Sequence, residues 1–138
     1  MKTSLLLLVL ISASSLAQAD SLIAIVHPDN HSTLSTDAVR NIFLGKVRKF
    51  PGGGSAVPVE IAGDEAPLNE NFDNKVLNKT PSQLRAYWSQ MVFTGRATPP
   101  KQVGSTEDLI KLIETNPNMI GFVSSLPTSA KVKAIPLD

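Results

Sequence analysis

Two unbroken apolar runs, Leu22–Val26 (LIAIV) and Met119–Val123 (MIGFV), constrain this chain most. Neither alternates polar with apolar residues, so each reads as a strand covered on both faces, as in a parallel sheet flanked by helices. Val57–Ile61 (VPVEI) is a further strand candidate, and Pro58 near its start suggests an edge position or the first turn into a strand. Residues 102–104 and 132–135 are expected as short strands, the last at an edge. Gly121, inside MIGFV, is expected to let another backbone approach closely.

Between the strands, apolar residues recur with helical period. In residues 34–54, Ser35 is the expected N-cap, with Leu34 and Val39 placed as a hydrophobic staple. Asp37 suits the first turn, and Val39, Ile42 and Phe43 form the buried stripe. Gly45 stops this helix, and a basic arm with Lys46, Arg48 and Lys49 follows. Pro51 and three glycines then turn the chain, without the strand and helix context of a nucleotide fingerprint. A second helix carries Leu68, Phe72 and Val76 on one stripe. A third opens with Thr80, Pro81 and Gln83 as a capping box, carries Leu84, Tyr87, Trp88, Met91 and Val92 on one face, and stops at Gly95. Packing against the core is the expected role of that face, with ligand stacking on its aromatics as the alternative. Ser105 caps a fourth helix, whose Leu109, Leu112 and Ile113 face inward. Alternating strands and helices give an α/β sandwich with a mostly parallel sheet flanked by helices.

The first residues belong to a different pattern. Lys2, the apolar residues 5–11 and Ala17-Gln18-Ala19 have the anatomy of a secretory signal peptide, cleaved after Ala19. The expectation is a leader at 1–19 and one domain at 20–138, in the periplasm. Thirteen basic residues become twelve without Lys2, against twelve acidic ones, so the mature chain is neutral. Neutrality argues against a nucleic-acid partner. With no cysteine, no disulfide is available.

Chemistry-bearing clusters are sparse. His27 and His31 stand four apart, but Pro28 and Asn30 between them disfavour a helix and no third metal ligand is evident. Asp64 and Glu65 precede the second helix, where carboxylates cap a helix end or act as acid and base. No nucleophile–base pair, metal cluster or lysine-bearing phosphate loop accompanies them. No enzymatic activity, cofactor or metal is therefore expected. Residues 96–101 (RATPPK) form a stiff segment that either rims a cleft or crosses the surface. Ser124 and Ser125 lie just beyond the carboxyl end of MIGFV, where open α/β sheets place ligands.

Three segments in order carry a family resemblance. Residues 34–50, with Ile-Phe-Leu-Gly-Lys, resemble the second lobe of phosphate-binding proteins of ABC importers. Asn-Met-Ile-Gly-Phe-Val at 118–123 is similar to that lobe's late strand, usually Gly-Ala-Ile-Gly-Tyr-Val. Residues 84–101 resemble small stand-alone relatives labelled phosphate ABC transporter substrate-binding proteins. The resemblance implies a single-lobe, periplasmic-binding-protein-like three-layer sandwich that captures phosphate or another small oxyanion reversibly for an ABC importer. The family's second lobe offers an arginine and a Ser-Gly-Thr turn at a helix start; residues 61–67 here (IAGDEAP) have neither. A ligand at this junction would meet backbone N–H groups of Gly63, Asp64, Glu65 and Ala66, hydroxyls of Ser124, Ser125 and Thr98, and Arg96 as counter-charge. The alternative is a periplasmic adaptor that keeps the fold without the phosphate site. It would touch an ABC permease or membrane sensor through Lys46, Arg48, Lys49 and residues 96–101. A homodimer would rebuild a two-lobed clamp.

Overall fold

The computed structural model describes residues 21–62 and 66–137. The expected leader, and Gly63, Asp64 and Glu65, lie outside the described residues. In chain order the elements are β1 (Leu22–Val26), α1 (Thr36–Phe43), β2 (Val57–Ile61), α2 (Ala66–Lys75) and α3 (Pro81–Phe93). Then follow β3 (Lys101–Val103), α4 (Thr106–Thr115), β4 (Met119–Val123) and β5 (Lys133–Leu137). One sheet takes the order β3-β2-β4-β1-β5. β3, β2 and β4 pair in parallel, while β1 is antiparallel to both β4 and β5. Four strands therefore run one way and β1 runs against them.

That direction corrects the parallel environment expected for LIAIV. An unbroken apolar run reports burial on two faces, and Ala24, Ile25 and Val26 are fully buried. It carries nothing about which way the neighbours point. β2 lies inside the sheet, and Pro58 opens it rather than marking an edge. Pairing with β3 begins at Val59, so the missing N–H of Pro58 falls outside that ladder.

The register assigns the two faces. Gly121 faces α4, where an added Cβ would come within 2.7 Å of the Leu109 side chain, so a side chain rather than the expected backbone fills the space it leaves. Phe122 points to the other face, where its ring stacks on Phe72 of α2 at 3.8 Å and meets Phe43 of α1 edge-on at 5.5 Å. The result is three layers, with α4 on one face and α1 and α2 on the other. The expected caps are present: Ser35 Oγ accepts from Ala38 N, Ser105 Oγ from Asp108 N, and Thr80 with Gln83 closes a capping box.

α3 departs from expectation. None of its residues is fully buried, although Leu84 and Tyr87 pack against the core's margin. It lies outside the sandwich, tied to α1 by a bond from Tyr87 Oη to the carbonyl of Leu44. Its half-buried side chains meet α2 and the end of α1 rather than filling the sandwich. Val92 and Phe93 are left exposed.

Candidate functional site

Two places carry the residues singled out by the sequence, at opposite ends of the sheet. The first is the carboxyl edge. Because β3, β2 and β4 are parallel neighbours, the residues after them come together in that order. These are Gly104 and Ser105, then Ala62 and Ala66, then Ser124 and Ser125. α2 leaves β2 toward the Phe122 face and α4 leaves β3 toward the Gly121 face. A crevice between two such strands is the usual ligand position of open α/β sheets. Ala62 N donates to Val103 O at 2.9 Å and Asn69 Nδ2 to Ile61 O at 2.6 Å, holding the floor of the crevice.

Of the expected ligand residues, Ser124, Ser125 and Ala66 stand at this edge; Gly63, Asp64 and Glu65 are among those not described. Arg96 and Thr98 do not join them. β3 starts only at Lys101, so residues 96–100 precede the amino end of the sheet, and Thr98 lines a cleft beside Val57 and Pro58. Sequence reading missed Gly104 and Ser105 as crevice residues. The N-cap of Ser105 was the available signal, but its partner strand was not legible.

A separate cavity of about 250 Å³ lies between α2, α3 and residues 99–100, lined by Glu60, Asn69, Phe72, Asp73, Trp88, Pro99 and Pro100 among others. Burial pushes the Asp73 carboxyl up to about 6, helped by the charges of Glu60 and then Glu70. Burial also raises Glu60, opposed by the hydrogen bond that Gln102 Nε2 donates to it at 2.9 Å. At the carboxyl edge itself α4 carries Glu107 and Asp108 in its first turn.

A pH dependence follows. Folded protein keeps the Asp73 proton to about pH 6, whereas the unfolded chain releases it near pH 4. Unfolding therefore releases a proton in that window, and stability falls as pH rises through it. Asp73→Asn is expected to melt higher than the parent at pH 7 and equally at about pH 3.5, where both forms are neutral. Thermal melts across this range check it; a variant that melts lower at pH 7 contradicts it.

The second place is built by two similar helix ends. At the end of α1, Gly45 N bonds to Ile42 O and Lys46 N to Asn41 O, with Gly45 at φ +70°. At the end of α3, Gly95 N bonds to Val92 O and Arg96 N to Met91 O, with Gly95 at φ +68°. Both are Schellman closures, and each turns the chain sharply. The basic arm and residues 96–98 are thereby brought together. Arg48 Nη2 donates to Arg96 O at 2.5 Å, and buried Ala97 sits against Gly45. They border a cleft of about 490 Å³ whose walls include Ile42, Val47, Arg48, Ala56, Val92 and Ala97.

The histidines do not form a metal centre. His27 Nδ1 accepts from Asp29 N at 3.1 Å, and no metal-holding cluster of His, Asp or Glu gathers among the described residues. No helix among the described residues is long and apolar enough to cross a membrane.

No protein-family model and no curated protein matches this sequence. Its fold matches solved structures. One is a Clostridium perfringens protein, assigned as a phosphate ABC transporter substrate-binding protein and holding bound phosphate, at TM-score 0.65 and 19% identity. Others are an ABC-type phosphate transport receptor from Vibrio cholerae (TM-score 0.55, 18% identity) and PstS from Borrelia burgdorferi (TM-score 0.60, 14% identity). Each match covers 86% of this chain but only 45%, 46% and 47% of the respective neighbour. The chain has the α/β fold of a single periplasmic-binding-protein-like lobe and spans less than half the length of these transport proteins.

Proposed function

We propose that this chain is an exported, non-catalytic binding module that presents a surface to an ABC permease or membrane sensor rather than clamping phosphate. The observation that carries this reading is the charge of the crevice. Glu107 and Asp108 stand in the first turn of α4 beside the edge where the fold offers an anion site, and residues 61–67 carry Asp64 and Glu65 while lacking the family's arginine and hydroxyls. Export rests on the leader pattern of residues 1–19. The lack of a nucleophile–base pair in the sequence and the transport role named for the structural neighbours support a binding role.

A second reading, capture of phosphate or another small oxyanion, is favoured by the crevice geometry. Ala66 opens α2 there, Ser105 caps α4, and Ser124 and Ser125 are exposed beside them. Backbone N–H groups of residues 63–66 would then hold the anion, and a homodimer would supply the facing wall. Arg96 and Thr98 have no part in this reading.

Calorimetric titration and thermal melts of the exported protein with phosphate, sulfate and arsenate separate the two. A ligand present at about a hundred times its Kd adds about 2.7 kcal/mol to folding stability. For a domain of this size that is a rise of several degrees in Tm. The expected result is no heat and no such rise at millimolar phosphate. A clear rise overturns the surface-presenting reading and establishes oxyanion capture.

A further inference from the structure

Of the three large apolar side chains exposed among the described residues, two line one cleft and the third directly follows one of them in the chain. They are Val47 at 42%, Val92 at 53% and Phe93 at 92% exposure. Val47 and Val92 line the 490 Å³ cleft between the two Schellman ends, and Phe93 is the next residue along α3. Apolar surface gathered in this way marks an interaction site, whereas scattered exposed residues carry no such meaning.

Charge says what kind of partner fits. Residues 38–59 contain four cations and no acid, and residues 74–106 contain five cations and no acid. These stretches supply α1's end, the basic arm, α3 and residues 96–101. Lys46, Arg48, Lys49 and Arg96, the cations beside the cleft, make no ion pair with another described residue. Lys46 and the other arm residues are exposed, and Arg48 is held in place by its bond to the Arg96 carbonyl. The site is thus an apolar recess beside exposed positive charge.

We infer that this cleft docks an acidic segment of a partner protein, with an apolar side chain of that segment seated between Val47 and Val92 and its carboxylates meeting Lys46, Arg48, Lys49 and Arg96. The inference rests on the surface-presenting reading and names the chemistry of its partner. A second copy of this chain is disfavoured because the same cations would face one another across the contact. A bilayer is disfavoured because a flat surface leaves a recess of this volume unfilled. An inserted side chain provides affinity through apolar burial, while the surrounding charges provide approach rate and selectivity.

The test is selection of random peptides displayed on phage against the exported protein, followed by fluorescence titration of one enriched peptide. Enriched sequences are expected to place aspartate or glutamate around a large apolar residue. Affinity is expected to fall about tenfold or more between about 50 and about 300 mM NaCl. Replacing the peptide's acids by lysine is expected to weaken binding by a similar factor. Phe93→Ser and the pair Lys46→Glu with Lys49→Glu alter exposed side chains, and each should weaken binding about tenfold with unchanged melting. Lys111→Glu on α4 should leave it unchanged.

Selection of peptides without acidic enrichment overturns the inference, as does indifference to these variants or failure to enrich any peptide. Phe93-dependent binding to phosphatidylglycerol vesicles, with no peptide binding, assigns the cleft to lipid and overturns it. A Phe93-dependent dimer in sedimentation equilibrium assigns the cleft to self-association and overturns it too. Peptide binding together with tight phosphate binding keeps the docking site and removes only the reading on which it was built.

Discussion

Replacing Phe72 by alanine is expected to remove about 3–5 kcal/mol of folding stability, the range for truncating a buried aromatic. Phe72 is 1% exposed and lies at the centre of the aromatic cluster. It stacks on Phe122 at 3.8 Å and meets Phe43 edge-on at 4.8 Å, so its ring joins α2 to both the sheet and α1. Leu68 on α2 and Val76 just beyond its end are the neighbouring buried residues and cannot replace a ring between two rings. Against a typical total of about 5–15 kcal/mol, such a loss brings the domain close to unfolding. Urea melts should show a lower midpoint with an unchanged slope. Phe72→Leu should keep most of the volume and cost less than half as much. A loss below about 1.5 kcal/mol for alanine would mean that the cluster collapses onto the gap. The consequence reaches the crevice, because Asn69, three residues earlier on α2, ties that helix to the end of β2.

Gly45→Ala is the second large effect, expected at about 2–5 kcal/mol. Gly45 has φ +70°, where an L side chain costs about 1–2 kcal/mol. An alanine Cβ there would also lie 2.6 Å from the Cβ of Ala97, and such overpacking adds about 1–3 kcal/mol. Gly95 provides the matched control. It has φ +68°, but a Cβ built on it meets nothing within 4 Å. Gly95→Ala should therefore carry only the backbone strain. The difference between the two variants, measured by urea melts on both, reads the contact between the basic arm and residues 96–98. Equal losses would show that this contact is loose. A larger loss for Gly45→Ala should be accompanied by weaker peptide binding, since the added methyl pushes the cleft's two borders apart.

Much of the local structure is legible because its causes are local. The caps at Ser35, Thr80 and Ser105 depend on residues three positions away, and all three form. Gly45 and Gly95 end their helices because a left-handed turn favours glycine. The two unbroken apolar runs became the buried interior strands β1 and β4. Local pattern fails where a residue's role depends on a partner far along the chain. Tyr87 and Trp88 look like core residues, but their helix packs on α2 and the end of α1 with none of its residues fully buried. Arg96 and Ser124 look like members of one site, but the parallel sheet sends them to opposite ends.

The sequence by itself determined the elements, their caps, the apolar strands and the acids of the 61–67 junction. These follow from side-chain size, polarity and backbone preference within a few residues. Tertiary structure alone decided that β1 runs against its neighbours, that α3 stays outside the sandwich, and that two separately basic stretches border one apolar cleft. The physical reason is that strand direction and long-range contacts depend on how the chain crosses the sheet. An apolar run is equally buried in either direction, and a charge pattern does not name its neighbour. The bond from Arg48 to the Arg96 carbonyl spans 48 positions, a separation no local pattern encodes.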